Sequence, residues 1–304
     1  MNEVLIHAFA DEASPMISGQ IAAMQRNGLQ GVEVRGVDGT NVSDISVAKA
    51  REVRQQLADA GLTVWAVGSP IGKIPVEGDH AAHREKLRHT LEVARALGTQ
   101  RIRMFSYYMP RGGDPEDWRQ AVIDRLGELL EDAREAGVLL CHENEKGIYG
   151  DTAPRCLTLL KALPELRSVF DPANYVQCGQ DTMAAWELLG PRTDYLHIKD
   201  ALADGTVVPA GCGTGQLLPI VSAYLLQGGR AMTVEPHLRV FEGLNALERA
   251  GEESAIGGKY SYPSADAAFD AACRALREIV AEHDTLKRVT HAHVNRMTED
   301  SEED

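Results

Sequence analysis

The sequence predicts an α/β protein built as a single (β/α)8 barrel. Apolar runs of strand length alternate with amphipathic segments of helix length, and they form eight strand-helix units within 304 residues. No two neighbouring runs are placed to pair as a hairpin, which favours a parallel sheet. An open doubly wound sheet is the alternative, but residues 8–12 after the first strand lack the glycines that such a sheet usually places there.

The first four units lie between residues 4 and 137. Ser14 and Pro15 predict the start of the first helix, because a capping side chain precedes a proline at the first helical position. Gly61 and Gly98 supply C-terminal stops for the next two helices. The predicted strands are 4–9, 31–35, 62–67 and 101–105, and the helices between them include 46–60 and 80–97.

Asp114 predicts an N-cap for the fourth helix, which Gly137 ends. The later strands are expected at 138–145, 167–171, 194–197 and 231–235, and the later helices at 154–163, 182–189, 217–226 and 264–283. We therefore expect the catalytic barrel to span 1–283, followed by an acidic, disordered tail at 284–304. The connection 236–263 exceeds the usual loop length, and we expect it to form a lid or an oligomer contact.

Composition excludes several classes of partner. A net charge of -14 argues against binding a phosphate backbone, so we expect no nucleic-acid partner. Five scattered cysteines suggest neither disulfides nor a thiolate zinc site, which fits a cytoplasmic protein. We expect neither export nor membrane insertion, because the sequence shows no signal-peptide pattern and no apolar run long enough to span a bilayer. We also expect no nucleotide cofactor, because the sequence has no glycine-rich phosphate-binding loop. A small polyhydroxylated substrate fits this composition best.

Each of the last four predicted strands ends in a side chain that can bind a metal. These residues are Glu143, Asp171, His197 and Glu235. Because the C-terminal ends of barrel strands face one mouth, we expect the four side chains to converge. Three carboxylates and one imidazole suit Mn²⁺ first, with Mg²⁺, Co²⁺ or Zn²⁺ as alternatives. Glu145 is an alternative ligand to Glu143, because residues two apart on a strand share a face.

Residues beside these ligands are candidates for substrate binding. Glu33 and Arg35 end the second strand, where they would either bind sugar hydroxyls or form an ion pair. Lys199 and Asp200 directly follow His197, so one or both could orient the substrate. His237 follows Glu235 by two residues, either in the pocket or behind the ligands. The glycine-rich stretch 211–215 could hold an anion at a helix N-terminus, but we favour a simple turn.

The ordered set of motifs resembles one known group of barrels. The matching pieces are HENEKGIYGD with Glu143, FDPANY with Asp171 and Asn174, LHIKD with His197, GCGTG before a helix, and TVEPH with Glu235. Together they resemble the sugar phosphate isomerase/epimerase group of the xylose-isomerase-like superfamily, over about residues 4–283. That group includes ketose 3-epimerases, inosose-processing enzymes and, more distantly, nucleases of the endonuclease IV type. The resemblance implies a metal held by the four strand-end residues, and it places Asn174, where many members have His, beside the substrate.

The resemblance also implies a reaction. A divalent ion would chelate a carbonyl and an adjacent hydroxyl, and Glu143 and Glu235 would transfer a proton by way of an enediolate. Isomerisation or epimerisation of a sugar, ketose or cyclitol follows, whereas loss of a β-hydroxyl would make a dehydratase or a lyase on a keto-cyclitol or 3-keto-glycoside. An endonuclease IV-like phosphodiesterase and a sugar-binding barrel without turnover are further alternatives. We also expect a homodimer, formed through the barrel face or the segment after Glu235.

Overall fold

Eight parallel strands close into one barrel in the computed structural model, which describes residues 3–241, 255, 256 and 259–300, with side chains as far as 289. Strands adjacent in sequence pair with each other, and the last pairs with the first, Leu5 lying opposite Ala231. The predicted fold class is therefore confirmed. The strands are β1 (Leu5–Ala8), β2 (Gly31–Val34), β3 (Thr63–Gly68), β4 (Arg101–Met104), β5 (Leu139–Glu143), β6 (Arg167–Phe170), β7 (Thr193–Ile198) and β8 (Ala231–Val234).

Helices surround the barrel, and their ends follow local sequence signals. The Ser46 hydroxyl accepts from Lys49 N at the start of the second helix, and Gly98 ends the third with φ +84°. The first helix begins at Ile17 and not at Pro15, because Ser14 Oγ accepts from Met16 N in a local turn. The helices are α1 (Ile17–Arg26), α2 (Val47–Asp59), α3 (His80–Leu97), α4 (Arg119–Ala136), α5 (Ala153–Ala162), α6 (Pro172–Gln177), α7 (Thr182–Leu189), α8 (Leu217–Leu226) and α9 (Ala265–Asp300).

Aromatic side chains fill the barrel interior below the mouth. Trp65 stacks on His7 with ring centroids 5.0 Å apart and meets Tyr195 edge-on at 5.9 Å. A second buried cluster, which contains Tyr195, Cys141 and Val169, packs against Trp65. This apolar layer confines the polar chemistry of the interior to the C-terminal ends of the strands.

Two expectations about chain organisation need correction. The disorder expected for 284–304 stays a prediction, but the last helix does not end at 283 as expected, because α9 continues through Asp300. The physical reason is that residues 265–304 contain no glycine or proline to stop the helix. Two short antiparallel ribbons, Gly36–Val37 with Thr40–Asn41 and Asp200–Ala201 with Val207–Val208, also occur in loops where we expected no hairpin.

Most of the long connection 236–263 lies outside the described residues, which omit 242–254, 257 and 258. A role as lid or oligomer contact therefore stays a prediction. The part that is described includes Ile256, which forms a bridge to Val207. Across the described helices, none has the combination of length and apolar character that a membrane crossing requires.

Candidate metal centre

The four side chains expected to bind a metal converge at the barrel mouth. Glu143 ends β5, Asp171 follows β6, His197 lies in β7 and Glu235 follows β8. Each offers one ligand atom, and these atoms all lie within 4.8 Å of one another. All four residues are buried. The sequence placed them on four consecutive strands, and the closed barrel brings them to one point.

Two carboxylates orient His197. Its Nδ1 lies 2.9 Å from Glu143 Oε1, and its Nε2 lies 3.0 Å from Glu33 Oε2. Burial acts to lower the pKa of His197, but Glu143 and Glu33 outweigh it and raise the pKa to about 10. Because Glu33 holds Nε2, the Nδ1 atom faces the other three candidate ligands. A metal-binding histidine is commonly oriented in this way, by a hydrogen bond at its other ring nitrogen.

Glu33 supports the site from below and does not contact the pocket. Its carboxylate also accepts from the Tyr195 hydroxyl at 2.9 Å and from Thr233 Oγ1 at 2.8 Å. Burial acts to raise the pKa of Glu33, but His197 lowers it below its ordinary value. The expectation that Glu33 binds sugar hydroxyls is therefore wrong, because the residue is fully buried and both of its oxygens have partners inside the barrel.

Asp171 divides its two oxygens between the scaffold and the site. Oδ1 accepts from Asn174 N at 3.0 Å, which caps α6. Oδ2 is buried and has no hydrogen-bond partner; Lys199 Nζ lies 2.8 Å away as an ion pair without hydrogen-bond geometry. Burial raises the pKa of Asp171 to about 7, since Lys199 offsets the effect only in part. A buried carboxylate oxygen without a hydrogen bond, beside two more carboxylates and an imidazole, fits a divalent ion.

Asn174 forms hydrogen bonds with Asn144 and Asp171 within the protein. Its Nδ2 donates to Asn144 O at 2.8 Å, while Asn144 Nδ2 donates to Asp171 O at 2.9 Å and Asp171 N donates to Asn144 Oδ1 at 3.0 Å. These three bonds join the ends of β5 and β6. Asn174 still lines the pocket wall, so contact with a substrate stays a prediction.

Glu235 lies beside two cations and one histidine. Its Oε2 accepts from Lys199 Nζ at 2.9 Å, and its Oε1 lies 3.4 Å from Arg35 Nη1 and 3.4 Å from His237 Nδ1. Burial acts to raise the pKa of Glu235, but the positive charges of Lys199 and Arg35 oppose it, and the pKa lies well below its ordinary value. The Glu235 carboxylate is therefore ionised at neutral pH.

Arg35 forms a buried ion-pair network at the edge of the pocket. Its Nε donates to Asp11 Oδ2 at 2.9 Å. Its Nη2 donates to Asp11 Oδ1 at 3.1 Å and to Glu12 Oε1 at 2.9 Å. Burial raises the pKa of Glu12 to about 8. Of the two roles expected for Arg35, the structure shows the ion pair, with Phe9 stacked below at 4.3 Å. The sequence indicated neither acidic partner, because Asp11 and Glu12 lie 24 and 23 residues from Arg35 in the chain.

His237 lines the pocket directly, with its backbone at φ +42°. Its backbone N–H donates to Glu12 Oε2 at 2.7 Å, and its buried ring nitrogen Nδ1 has no hydrogen-bond partner. Burial lowers its pKa well below the ordinary value, so the ring is neutral. Glu12, Glu235 and His237 also offer ligand atoms within 4.8 Å of one another, but the Arg35 guanidinium already lies against both carboxylates.

Asp200 is a structural residue of the neighbouring loop. Its Oδ1 accepts from the backbone N–H groups of Ala201 and Gly215, and its Oδ2 accepts from those of Gly211 and Gly213, all at 2.9 Å. The expected substrate contact is wrong, because the carboxylate is used by four donors of its own chain. The glycine-rich stretch is a turn, as we favoured, and it wraps this carboxylate so closely that a Cβ at Gly213 would overlap it.

Two further cations line the pocket without a clear sequence signal. Arg103 Nε lies 3.1 Å from Glu143 Oε2, and Lys73 Nζ lies 3.2 Å from Glu145 Oε2. Glu145 thus pairs with Lys73 and is not part of the four-residue group, which leaves Glu143 as the candidate ligand from β5. Alternation along the strand could have indicated Arg103, since it shares the inward face of β4 with Arg101.

Comparisons with known proteins identify the family and the fold. A family model described as xylose isomerase-like TIM barrel matches residues 21–224. No curated protein sequence matches the chain. Similar solved structures include the probable 3-DHS dehydratase AsbF from Bacillus anthracis, with 16% identity, TM-score 0.69, and coverage of 91% of this chain and 99% of that one. The IOLI protein with a bound zinc atom has 15% identity, TM-score 0.70 and coverage of 92% and 99%. An L-ribulose 3-epimerase has 16% identity, TM-score 0.70 and coverage of 95% and 98%. At these identities the structural likeness concerns the fold.

Proposed function

Since the chain belongs to the xylose isomerase-like TIM-barrel family, we propose that it is a divalent-metal-dependent isomerase or epimerase of a sugar, ketose or cyclitol. The observation that carries this proposal is the buried group of Glu143, Asp171, His197 and Glu235, with ligand atoms within 4.8 Å of one another. The similarity to an L-ribulose 3-epimerase supports the reaction class.

The oxygen-rich donor set favours Mn²⁺, with Mg²⁺, Co²⁺ or Zn²⁺ as substitutes. The oxygens available to a metal are Glu143 Oε1, Asp171 Oδ2 and Glu235 Oε2, and His197 supplies Nδ1. When bound, the ion would supply Lewis-acid polarisation of a substrate carbonyl. The zinc atom in the IOLI structure supports a divalent ion in this fold.

Two glutamates would carry out the proton transfer. Glu143 and Glu235 lie on β5 and β8, the two outer strands of the four that supply ligands. Glu235, which is ionised, would take the carbon-bound proton beside the carbonyl, and Glu143 would return one. Return to the opposite face of the same carbon gives an epimer, and return to the neighbouring carbon gives an isomer. Arg35, Lys199 and His237 line the pocket and would bind hydroxyl groups of the substrate.

The test is deuterium exchange at carbon. The Mn²⁺-loaded protein is incubated with a panel of ketoses and cyclitol ketones in D₂O, and incorporation is followed by NMR. Glu235→Gln should abolish the exchange, whereas Glu187→Gln, a change of the same kind on the exposed surface of α7, should leave it unchanged. Full exchange by Glu235→Gln would contradict the mechanism.

A dehydratase or lyase is the second candidate, favoured by the similarity to the probable 3-DHS dehydratase AsbF. Proton removal by Glu235 would be the same, but the β-hydroxyl or an aglycone would leave before a proton returns. Mass spectrometry of the product separates the two reactions, because an isomerase product keeps the mass of the substrate and a dehydratase product loses water.

A further inference from the structure

We propose that Lys199 is a built-in counter-ion of the metal centre: its ammonium holds two ligand oxygens in the metal-free protein, and a divalent ion binds by displacing it. The inference rests on the metal site of the proposed function. It concerns what the chain does when no metal is bound, and it assigns Lys199 a role in setting metal affinity.

Only one oxygen of Asp171 and one of Glu235 are well placed for a metal. Asp171 Oδ1 is occupied by the capping bond from Asn174 N, which leaves Oδ2. Glu235 Oε1 faces Arg35 and His237, whereas Oε2 lies toward His197 Nδ1 at 3.7 Å. The ammonium of Lys199 contacts these same two atoms, Asp171 Oδ2 at 2.8 Å and Glu235 Oε2 at 2.9 Å.

The barrel explains how Lys199 reaches this position. Lys199 lies two residues after His197, so both side chains project to the same side of the chain leaving β7. Strand β7 lies between β6, which precedes Asp171, and β8, which precedes Glu235. The side chain therefore enters between the two carboxylates, where it is buried.

The charges favour this occupancy in the absence of metal. Lys199 Nζ pairs with Asp171 Oδ2 at 2.8 Å and with Glu235 Oε2 at 2.9 Å, so two buried carboxylates share one ammonium. Without it, Asp171 would lose this ion pair and Glu235 would keep only the longer one to Arg35, at 3.4 Å, which is costly in a protein interior.

A bound divalent ion and this ammonium compete for the same lone pairs. Metal–oxygen bonds to carboxylates are about 2.0–2.2 Å long for zinc-sized ions, and the ion brings two positive charges close to any ammonium that remains. The flexible four-carbon stem lets Lys199 turn aside. Glu145 lies in the same pocket and adds to the negative potential around the ammonium, so the displaced group stays near the mouth.

The test compares Mn²⁺ affinity in matched variants. Lys199→Met removes the competing ammonium, and we expect the Kd for Mn²⁺, measured by competition with a fluorescent chelator, to fall by about tenfold or more. Lys73→Met is the control, because it removes a buried ammonium of the same pocket whose ion pair there is with Glu145. If the loss of any nearby positive charge strengthened binding, the Kd for Mn²⁺ would fall equally in both variants. Competition for the ligand oxygens lowers the Kd of Lys199→Met much more than that of Lys73→Met.

A second readout follows thermal unfolding with and without Mn²⁺. Metal-free Lys199→Met should unfold at a lower temperature than the wild type, and Mn²⁺ should raise its Tm by more. If the variant does not fold, a Mn²⁺-soaked crystal of the wild type decides: the account requires Lys199 Nζ to have left Asp171 Oδ2 and Glu235 Oε2.

Each result supports or overturns the inference. The inference is overturned if Lys199→Met binds Mn²⁺ no more tightly than the wild type. It is also overturned if the Mn²⁺-bound wild type keeps both ammonium contacts. In either case, an active, metal-dependent wild type would leave the proposed function standing. Binding by the variant but not by the wild type supports the inference and removes the metal-dependent function. If neither protein binds Mn²⁺, both proposals fail.

Discussion

Replacing Asp200 by asparagine should destabilise the fold, because the carboxylate accepts four backbone N–H groups within one turn. Each oxygen accepts two of them, at 2.9 Å. In Asp200→Asn an amide NH₂ takes the place of one oxygen, so two N–H donors lose their acceptor and face another donor. A buried donor without a partner costs about 1–3 kcal/mol, which gives a loss of about 2–6 kcal/mol. We expect the lower half of that range, since Gly211 is exposed.

Urea unfolding at pH 7 measures this loss. Asp204→Asn is the matched control, because Asp204 lies in the same loop, is exposed, and accepts from the N–H of Thr206. We expect the control to lose much less stability than Asp200→Asn, since water can replace the lost partner of an exposed donor. A loss below about 1 kcal/mol for Asp200→Asn, together with a raised KM, would refute the structural role and restore Asp200 as a substrate contact.

Three further predictions concern the supports of the site. Gly150→Ala should lower stability by about 1–3 kcal/mol in thermal unfolding, because its Cβ would overlap the His142 ring; an unchanged Tm would refute this. Burial lowers the pKa of His142 to about 3, so between about pH 3 and pH 6.5 the unfolded chain binds a proton that the folded protein does not. As the pH decreases below about 6.5, the free energy of unfolding therefore decreases by at most about 1.4 kcal/mol per pH unit. His142→Gln should flatten that acid slope in urea titrations at several pH values, and equal slopes would contradict the cause. Glu33→Gln should weaken Mn²⁺ binding by about 10–100-fold in calorimetry, through the lost hold on His197 Nε2, and an unchanged Kd would show that the hold is unimportant.

The barrel and the convergence of four metal-competent side chains could be predicted because their signals are local. Each of the four candidate ligands directly ends or follows an apolar run, and parallel strands in a closed barrel bring such ends together whatever the loops do. The places of Glu143 and His197 at the mouth could be predicted without knowing which distant residues contact them. The same reasoning separated neither Glu143 from Glu145 nor a ligand from its support, since both kinds of residue occur at strand ends.

The roles of Glu33 and Asp200 could not be predicted for a physical reason. A carboxylate at a strand end has the same pattern in sequence whether it faces a pocket or an internal donor. Glu33 is fixed by Tyr195 and Thr233, which are 162 and 200 residues away in the chain. Asp200 is fixed by backbone groups up to 15 residues away, in a turn that the glycines indicated without showing what it encloses.

Anomalous scattering at the manganese edge, from a crystal soaked in Mn²⁺, tests whether Glu143, Asp171, His197 and Glu235 hold one divalent ion. We expect one peak per chain at the barrel mouth, bonded to all four residues. Absence of a peak there, or a peak held instead by Glu12, Glu235 and His237, would contradict it.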